Sequence, residues 1–492
     1  MTEPKPSQWR TLDKDLDRIS QLERATLYIG RPMVGLGVSF AFIVVATLLA
    51  AAFFGVQQGT LVVIAAAGFG AYMALNIGAN DVANNMGPAV GANALTMGGA
   101  IVIAALCESA GALLAGGDVV STISKGIIDP TALADLNVFI WAMMAALISS
   151  ALWVNLATWL GAPVSTTHSV VGGVMGAGIA AAGFTAVNWP SMGSIALSWI
   201  VSPVLGGVVA AAFLAFIKKN IIYVDDKIAA ARRWVPVLIA IMSGVFATYL
   251  AVKGVNKLVK IDLLTAVIIG VAVGALSYVA AAPLIRRQSE GMENRNKSLK
   301  TLFGLPLVIS AGLLSFAHGA NDVANAVGPL AAIVHAEQVG EFAGSVSIPT
   351  WVMVIGAFGI SFGLMLFGPK LIRMVGSQIT KLNPMRAYCV ALSAAITVII
   401  ASWLGLPVSS THIAVGGIFG VGFYREYHAE KRIRQNLSAK PTEKRLAPEE
   451  RRRRKLVRRS HFMTIVAAWI ITVPAAALLS AGIFLILNGV IG

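Results

Sequence analysis

Charged residues are scarce in this sequence. Only 12% of its 492 residues are Asp, Glu, Lys or Arg, whereas 57% are hydrophobic, and a soluble domain carries about 25% charged residues. Between Arg31 and Lys218 the only lysine or arginine is Lys125. A stretch with so little charge does not form a surface that faces water. The composition therefore excludes a soluble domain and predicts a membrane protein.

The sequence also lacks the signatures of several chemistries. Its two cysteines, Cys107 and Cys389, lie in apolar stretches, which is typical of small buried residues and argues against a disulfide or a metal site. We find no Walker A motif, dinucleotide fingerprint or metal-ligand spacing, so we expect no cofactor, no enzymatic activity and no transport driven by the chain's own ATP hydrolysis. Residues 1–31 are polar and lack a signal-peptide pattern. The first spanning helix is therefore expected to direct insertion.

Positive charge is concentrated in one segment. The formal net charge is +15, and residues 425–460 alone contain fourteen Lys or Arg and five Glu. In a soluble protein such a basic run suggests nucleic acid. Here it lies between apolar segments, which predicts a cytoplasmic loop, 424–460, beside anionic lipid. Nucleic acid is not expected as a partner.

Long apolar stretches predict an all-α polytopic membrane protein, because a spanning helix needs about 20 apolar residues. The clear candidates for spanning helices are 33–55, 96–116, 137–161, 192–217, 235–252, 262–284, 351–372, 385–405 and 462–488. Four more apolar stretches are interrupted or short and rich in glycine: 61–90, 163–182, 302–333 and 407–423. These four predict broken or re-entrant helices, which are tolerated only inside protein or along a cavity.

Two motifs occur twice, in the same order. Gly-Ala-Asn-Asp-Val-Ala-Asn spans residues 78–84 and again 319–325. Pro-Val-Ser-Thr-Thr-His at 163–168 recurs as Pro-Val-Ser-Ser-Thr-His at 407–412, and the two offsets, 241 and 244 residues, nearly agree. The sequence therefore predicts two transmembrane repeats. The expected parts are a polar tail at 1–31, repeat one at 32–217, a connecting loop and linking helix at 218–261, and repeat two at 262–492.

Charge bias predicts that the two repeats run in opposite directions across the membrane. In repeat two, residues 286–300 and 425–460 are basic, whereas the equivalent segments of repeat one, 55–60 and 183–191, carry no charge. Basic loops are cytoplasmic by the positive-inside rule, so the linking span 235–252 supplies the inversion. Three residues then lie outside against the rule: Lys253, Lys257 and Lys260. Inverted repeats with broken helices are the architecture of secondary transporters, whose site lies near the midplane.

The first candidate site residues are Asn80 and Asp81, with their repeats Asn321 and Asp322. A carboxylate inside an apolar segment costs at least about 2.5 kcal/mol. Each Asp can coordinate a cation, with the Asn side chains as further oxygen ligands, or can bind a proton. The alternative is a helix N-cap, since Asx residues suit a helix start. The two roles are compatible.

Two hydroxyl triplets form the second candidate set: Ser165, Thr166 and Thr167, and Ser409, Ser410 and Thr411. Each triplet follows Pro-Val and precedes His. At a helix start, such a triplet offers hydroxyl donors, unpaired backbone N–H groups and roughly half a positive charge from the helix dipole. That combination binds an oxyanion without Lys or Arg. The alternative is ordinary capping and packing by small residues.

Acids and anion-binding helix starts at one place predict joint transport of an oxyanion with cations or protons. The cations neutralise the Asp pair and then attract the anion. Glu108, in an apolar stretch, is a further coupling candidate or an interface carboxylate. His168 and His412 either relay protons or pack. His318 has Ile77 as its counterpart, so it is not part of the plan shared by the repeats.

The paired motifs resemble those of the PiT family of inorganic phosphate transporters, and the resemblance covers both repeats. It implies an inverted-repeat fold of about a dozen membrane segments and symport of phosphate with Na⁺ or H⁺, commonly as a homodimer. By this resemblance the two hydroxyl triplets contact phosphate. It also implies that four residues line the cation and phosphate sites: Asn80, Asp81, Asn321 and Asp322. Na⁺ is the only metal ion expected.

Glu108 is similar to an acid that eukaryotic members use in transport. Those members carry a second such Glu in the other repeat, and the matching position here is Ala391. This departure bears on the identity and number of the coupling ions. Eukaryotic members also carry a large central loop that this chain lacks, so we expect a multi-pass protein of the bacterial inner membrane.

Three other functions remain open at this stage. Some members of the family carry sulfate, and competition of labelled phosphate uptake by excess sulfate would reveal a symporter of that oxyanion. An intramembrane phosphatase that uses the Asp and His residues would hydrolyse a phosphate ester in detergent. A channel would pass phosphate without cation coupling.

The charge bias yields a topology that labelling can check. We expect the N-terminus inside and the C-terminus outside. A cysteine introduced near residue 5 should be protected from a membrane-impermeant thiol reagent in intact cells, whereas one near residue 490 should react. Labelling of both positions, or of neither, would contradict this topology.

Overall fold

The computed structural model describes most of the chain, which is largely α-helical. The described ranges are 33–55, 59–129, 132–133, 135–160, 162, 164–254, 259–340, 348–378, 382–439 and 459–490. The predicted polar tail, 1–31, and residues 440–458 of the predicted basic loop lie outside these ranges. The helices are α1 (Met33–Phe54), α2 (Thr60–Asn80), α3 (Val82–Gly91), α4 (Met97–Ala115), α5 (Gly117–Lys125), α6 (Leu136–Leu160), α7 (Thr166–Ala182), α8 (Trp189–Ile217), α9 (Lys227–Lys253), α10 (Leu263–Gln288), α11 (Asn296–Leu302), α12 (Gly304–Val339), α13 (Thr350–Gln378), α14 (Pro384–Trp403), α15 (Ser410–Ala439) and α16 (Arg459–Val490).

Eleven helices in the described ranges are long and apolar enough to cross a membrane. Nine of them coincide with the nine stretches predicted to span. The other two, Thr60–Gly91 and Gly304–Val339, contain the two Gly-Ala-Asn-Asp motifs. The prediction of an all-α polytopic membrane protein is therefore confirmed.

The two motif helices differ in continuity. The predicted interruption of 61–90 is a one-residue irregularity at Asp81, where α2 ends and α3 begins, although the Asp81 backbone keeps right-handed helical angles. The predicted interruption of 302–333 is wrong, because α12 runs through Asn321 and Asp322 as one helix of 36 residues. Gly and Asn lower intrinsic helix propensity, but packing around a buried segment overrides so weak a preference. At about 1.5 Å per residue, α12 is longer than a membrane is thick.

Two helical hairpins carry the hydroxyl triplets. The first consists of α6 and α7 and the second of α14 and α15, and each second helix begins within its triplet, at Thr166 and at Ser410. The predicted helix starts are therefore confirmed. The hairpins meet at their connections, where the Thr167 hydroxyl donates to the Val408 carbonyl oxygen at 3.0 Å.

Helices of the two predicted repeats pack against each other. α2 packs along α13 and α4 along α12, while α7 packs along α16 and α8 along α15. The order of the motifs matches α2 with α12, α4 with α13, α7 with α15 and α8 with α16. Under this matching the contact of α2 with α13 corresponds to that of α12 with α4, and the contact of α7 with α16 corresponds to that of α15 with α8. The contacts therefore join helices of the two predicted repeats in matching pairs, while the opposite orientation of the repeats stays a prediction.

Glycines allow the motif helices to cross their neighbours closely. A Cβ atom on Gly78 would overlap the carbonyl oxygen of Ile360 on α13. A Cβ atom on Gly319 would overlap the carbonyl oxygen of Glu108 on α4. Small residues let helix backbones approach in this way. These two glycines thus set the distance between the motif helices and the helices that cross them.

An ion pair holds the end of α9, the linking helix. The Lys253 ammonium lies 2.6 Å from the Asp118 carboxylate at the start of α5. Thr122 of α5 in turn donates to the carbonyl oxygen of Gly405, in the connection between α14 and α15, at 2.7 Å. Charge bias predicts that Lys253 lies on the external side, where basic residues are disfavoured. The carboxylate of Asp118 compensates its charge there.

The close crossing at Gly78 predicts how substitutions affect stability. We expect Gly78→Ala to lower the free energy of unfolding by about 1–3 kcal/mol, because the added methyl group must push α2 and α13 apart. Gly98→Ala on α4 is the matched control, since a Cβ there meets nothing within 4 Å. Thermal unfolding in detergent measures both, and equal melting temperatures for the two variants would contradict the close packing.

Candidate functional site

The predicted site residues lie where five parts of the fold meet: the junction of α2 and α3 at Asp81, the centre of α12, the middle of α4, and the starts of α7 and α15. All eleven are between 0% and 3% exposed: Asn80, Asp81, Glu108, Ser165, Thr166, Thr167, Asn321, Asp322, Ser409, Ser410 and Thr411. Their contacts divide them into three groups. The first forms a carboxylate–hydroxyl cluster, the second fastens the hairpins, and the third caps helices.

Asp81 is the centre of the carboxylate–hydroxyl cluster. Thr166 donates to its Oδ2 atom at 2.6 Å, and Thr411 donates to its Oδ1 atom at 3.2 Å. Hydroxyls from both triplets therefore reach one carboxylate. Asp81 occupies the cap position of α3, but its side chain makes no capping hydrogen bond. The alternative of a simple N-cap thus does not describe this residue.

Asp322 lies on the opposite side of the same cluster. Ser410 donates to its Oδ2 atom at 3.4 Å, and the ring of His318 lies 2.9 Å from the same atom. The Oδ1 atom of Asp322 has no hydrogen-bond partner among the described residues. This free lone-pair capacity is a place where a cation or a donor from substrate can bind.

The last residue of each motif crosses to the hydroxyl triplet of the other repeat. The Asn84 amide donates to Thr411 at 2.9 Å. The Asn325 amide donates to Thr166 and Thr167 at 3.2 and 3.1 Å. Sequence reasoning did not select these two asparagines, although both close the repeated seven-residue motif. Their repetition at the same motif position is the signal that would have found them.

Asn80 and Asn321 fasten the hairpins to the motif helices. The Asn80 amide donates to Thr158 at 2.9 Å and to the Ala162 carbonyl oxygen at 3.4 Å. The Asn321 amide makes the corresponding bonds, to Ser402 at 3.0 Å and to the Leu406 carbonyl oxygen at 3.2 Å. The amide oxygens of both residues are buried and have no hydrogen-bond partner among the described residues. The arrangement therefore leaves one oxygen donor on each for a cation.

Two members of the triplets act as helix caps. The Ser165 and Ser409 hydroxyls accept from the backbone N–H groups of His168 and His412, at 3.1 and 3.3 Å. The capping alternative thus holds for the first residue of each triplet. The rings of His168 and His412 lie behind the triplets, with their centroids 4.4 Å apart.

His318 is the residue that sequence reasoning set aside and the structure places in the cluster. Its Nε2 atom faces Asp322, and its Nδ1 atom lies 3.1 Å from the Glu108 carboxylate. The Asn85 amide donates to the other Glu108 oxygen at 3.1 Å. Asp81 lies farther from the ring, at 4.0 Å. His318 thereby links the coupling candidate Glu108 to Asp322.

The chain Glu108–His318–Asp322 binds two shared protons when both ring contacts are hydrogen bonds. A neutral imidazole donates through one nitrogen only, whereas an imidazolium donates through both. Two protons therefore lie either both on the ring, or one on the ring and one on a carboxyl group. Asp81, His318 and Asp322 also bring three donor atoms within 4.8 Å of one another, close enough to hold a metal ion.

The counterpart of Glu108 in the other repeat is Ile360, so its assignment to Ala391 is wrong. The hydroxyls of Ser109 and Ser361 lie 2.7 Å apart. They reach reciprocal carbonyl oxygens on the facing helix, those of Ala357 and Ala105. Ser109 therefore matches Ser361, and the residue before each is Glu108 or Ile360. Ala391 lies on α14, which matches α6 and not α4. The assignment was wrong because the order of the motifs does not align positions on helices that carry no motif.

The polar triad Asn85, Glu108 and His318 has an apolar counterpart. The matching positions of the other repeat are Ala326, Ile360 and Ile77. All six residues are buried, none more than 1% exposed. Three matched positions differ together in polarity, so the two halves of the site share their hydroxyls and aspartates but differ beside Asp322.

Comparison with known proteins identifies relatives of this chain. The family model described as "Phosphate transporter family" matches residues 77–480. A Helicobacter pylori protein named "Putative phosphate permease" is 44% identical, and the match covers 96% of this chain and 99% of that protein. A Pyrococcus abyssi protein of the same description is 37% identical, with 85% and 96% covered.

A solved structure is also similar. It is titled "The sodium-dependent phosphate transporter", is 33% identical in sequence and has a TM-score of 0.79, with 88% of this chain and all of that chain covered. The resemblance read from the paired motifs is thereby confirmed, and this chain belongs to the phosphate transporter family.

Proposed function

We propose that this protein carries inorganic phosphate across the membrane by symport with a cation, through alternating access between two inverted repeats. The observation that carries the proposal is the contact of two buried carboxylates with hydroxyls at the starts of two helices. Among the described residues, no Lys or Arg forms an ion pair with Asp81 or Asp322. A phosphate therefore enters a site whose fixed charges repel it unless cations or protons enter as well.

The helix starts supply the anion-binding half. The first turns of α7 and α15 present backbone N–H groups and the positive ends of two helix dipoles. The hydroxyls of Thr166, Thr411 and Ser410 are the donors from these helix starts that contact the carboxylates. Phosphate, unlike sulfate, can also donate hydrogen bonds at neutral pH. Ionised Asp81 and Asp322 as acceptors therefore favour phosphate over sulfate.

The cation-binding half consists of the carboxylates and the unpartnered amide oxygens. A cation at Asp81 neutralises the carboxylate that holds Thr166 and Thr411. Their hydroxyls are then released to donate to phosphate. The arrangement thus supports an order in which the cation binds before the anion, since the same donors serve the carboxylate first and the substrate afterwards.

The choice between Na⁺ and H⁺ rests on two features of the site. Carboxylate and amide oxygens are donors that suit a hard cation such as Na⁺, and the similar solved structure is described as sodium-dependent. Imidazole and carboxyl groups, by contrast, can exchange protons, and the His318 ring contacts both Glu108 and Asp322. Uptake of labelled phosphate into proteoliposomes with an imposed Na⁺ gradient, or an imposed pH gradient, separates the two. Uptake that responds to neither gradient would refute symport.

The protein is also proposed to form a homodimer and to lie in the bacterial inner membrane. The Helicobacter pylori relative supports a bacterial setting, while the Pyrococcus abyssi relative extends the same family to archaea. Crosslinking in native membranes tests the dimer.

The carboxylates at the centre of the site should be indispensable. We expect Asp81→Asn or Asp322→Asn to abolish cation-coupled phosphate uptake. A neutral amide cannot balance the charge of Na⁺ and cannot bind a transported proton. Asp225→Asn, at an exposed aspartate outside the site, is the matched control. Thermal unfolding in detergent would establish that the variants fold. Near-normal coupled uptake by both site variants would refute the proposed site.

The polar triad predicts a non-additive effect on stability. His318→Ile leaves the Glu108 carboxylate buried without its imidazole, and removal of one partner of a buried ion pair costs about 3–5 kcal/mol. Adding Glu108→Ile reproduces the apolar pair found at Ile77 and Ile360. We therefore expect the double variant to unfold at a higher temperature in detergent than His318→Ile alone. A double variant that is less stable than that single variant would contradict the coupling between the two side chains.

A further inference from the structure

A groove outside the transport site lies between the ends of α9 and α10. It has a volume of about 540 Å³ and is lined by Ala229, Arg232, Arg233, Tyr278, Arg286 and Glu290. It lies at the end of α10 that leads into the basic segment 286–300, which charge bias predicts to be cytoplasmic. The residues of the phosphate site do not line it.

The groove has an excess of positive charge. Three arginines face one glutamate, and no carboxylate of the described residues lies within 4.0 Å of these guanidinium groups. The side chain of Arg232 is held in place by the hydroxyl of Ser289 at 2.7 Å. The Arg233 guanidinium lies 5.3 Å above the ring of Trp234. Two of the three charges are thus oriented before any ligand arrives.

Exposed apolar residues lie close in the chain to the groove-lining residues of α10. Leu276, Val279 and Leu284 of α10 are 70%, 68% and 55% exposed, which suits contact with acyl chains. Tyr278 lies eight residues before Arg286, or about 12 Å along the helix. Tyrosine is typical of the membrane–water interface. The groove therefore extends from a polar end with arginines toward the apolar layer.

Tight packing fixes the frame of the groove. A Cβ atom on Gly244 of α9 would lie 2.9 Å from the carbonyl oxygen of Gly270 on α10. A Cβ atom on Gly274 would lie 2.9 Å from the carbonyl oxygen of Ala240. The two helices are therefore held together along their middles, and the space between their ends is a stable part of the fold.

We propose that this groove binds the headgroup of an anionic phospholipid from the cytoplasmic leaflet. Arginine pairs bidentately with phosphate oxygens, and basic pockets between membrane helices on the cytoplasmic side suit anionic headgroups. The excess of arginine over glutamate favours an anionic lipid over a zwitterionic one. The adjoining apolar face accounts for the acyl chains, which a free phosphate ion lacks.

Native mass spectrometry of the purified, delipidated protein tests the groove. The probes are short-chain phosphatidylglycerol, phosphatidylcholine of the same chain length, and inorganic phosphate. The test variant is Arg233→Ala with Arg286→Ala. The control, Arg287→Ala with Lys297→Ala, removes the same charge from exposed residues that do not line the groove.

We expect one phosphatidylglycerol to bind more tightly than phosphatidylcholine. Its Kd should rise by roughly tenfold or more in the test variant, because about two charge contacts are lost, and change little in the control. Equal affinity for the two lipids, or equal loss in the test variant and the control, would overturn the proposal. Displacement of the lipid by inorganic phosphate, with the same dependence on the two arginines, would also overturn it, because the ligand would then be the free ion.

Discussion

Two carboxylates, those of Asp81 and Asp322, are buried in the middle of helices that are long and apolar enough to cross a membrane. An ionised group in that position is retained only with partners. The partners come from other helices: hydroxyls from the starts of α7 and α15, and the imidazole of His318. The hairpins and the glycine crossings bring these groups within hydrogen-bonding distance. Much of the central architecture is thus a response to buried negative charge.

The same contacts connect stability to transport. A hydroxyl that stabilises the empty carboxylate is the donor that an entering oxyanion needs, so substrate and carboxylate compete for it. Cation binding resolves this competition by satisfying the carboxylate in another way. In the proposed mechanism, anion binding therefore depends on the cation because the same hydroxyl donors serve first the carboxylate and then the anion.

Features encoded locally were predictable from the sequence, and features that depend on packing were not. Apolar length gave the spans, and Pro-Val-Ser followed by hydroxyls gave the starts of α7 and α15. The continuity of α12 was missed because propensity is a weak guide inside a packed core. His318 was set aside because its counterpart is Ile77, and its partner Glu108 is 210 residues away in the chain. The assignment of Ala391 failed for the same reason: no local pattern aligns α4 with α13.

The interlocked packing of the repeats has a consequence for biogenesis. α7, in the first half of the chain, packs along α16, the last helix, and the hydrogen bond between Asn84 and Thr411 joins residues 327 positions apart. During synthesis the first half therefore enters the membrane with its aspartate and hydroxyls lacking the partners that the second half provides. Contacts of such long sequence separation form late in folding. The transport site is thus completed only after the chain has been synthesised as far as Thr411, and until then the polar groups of the first half lack these partners in the membrane.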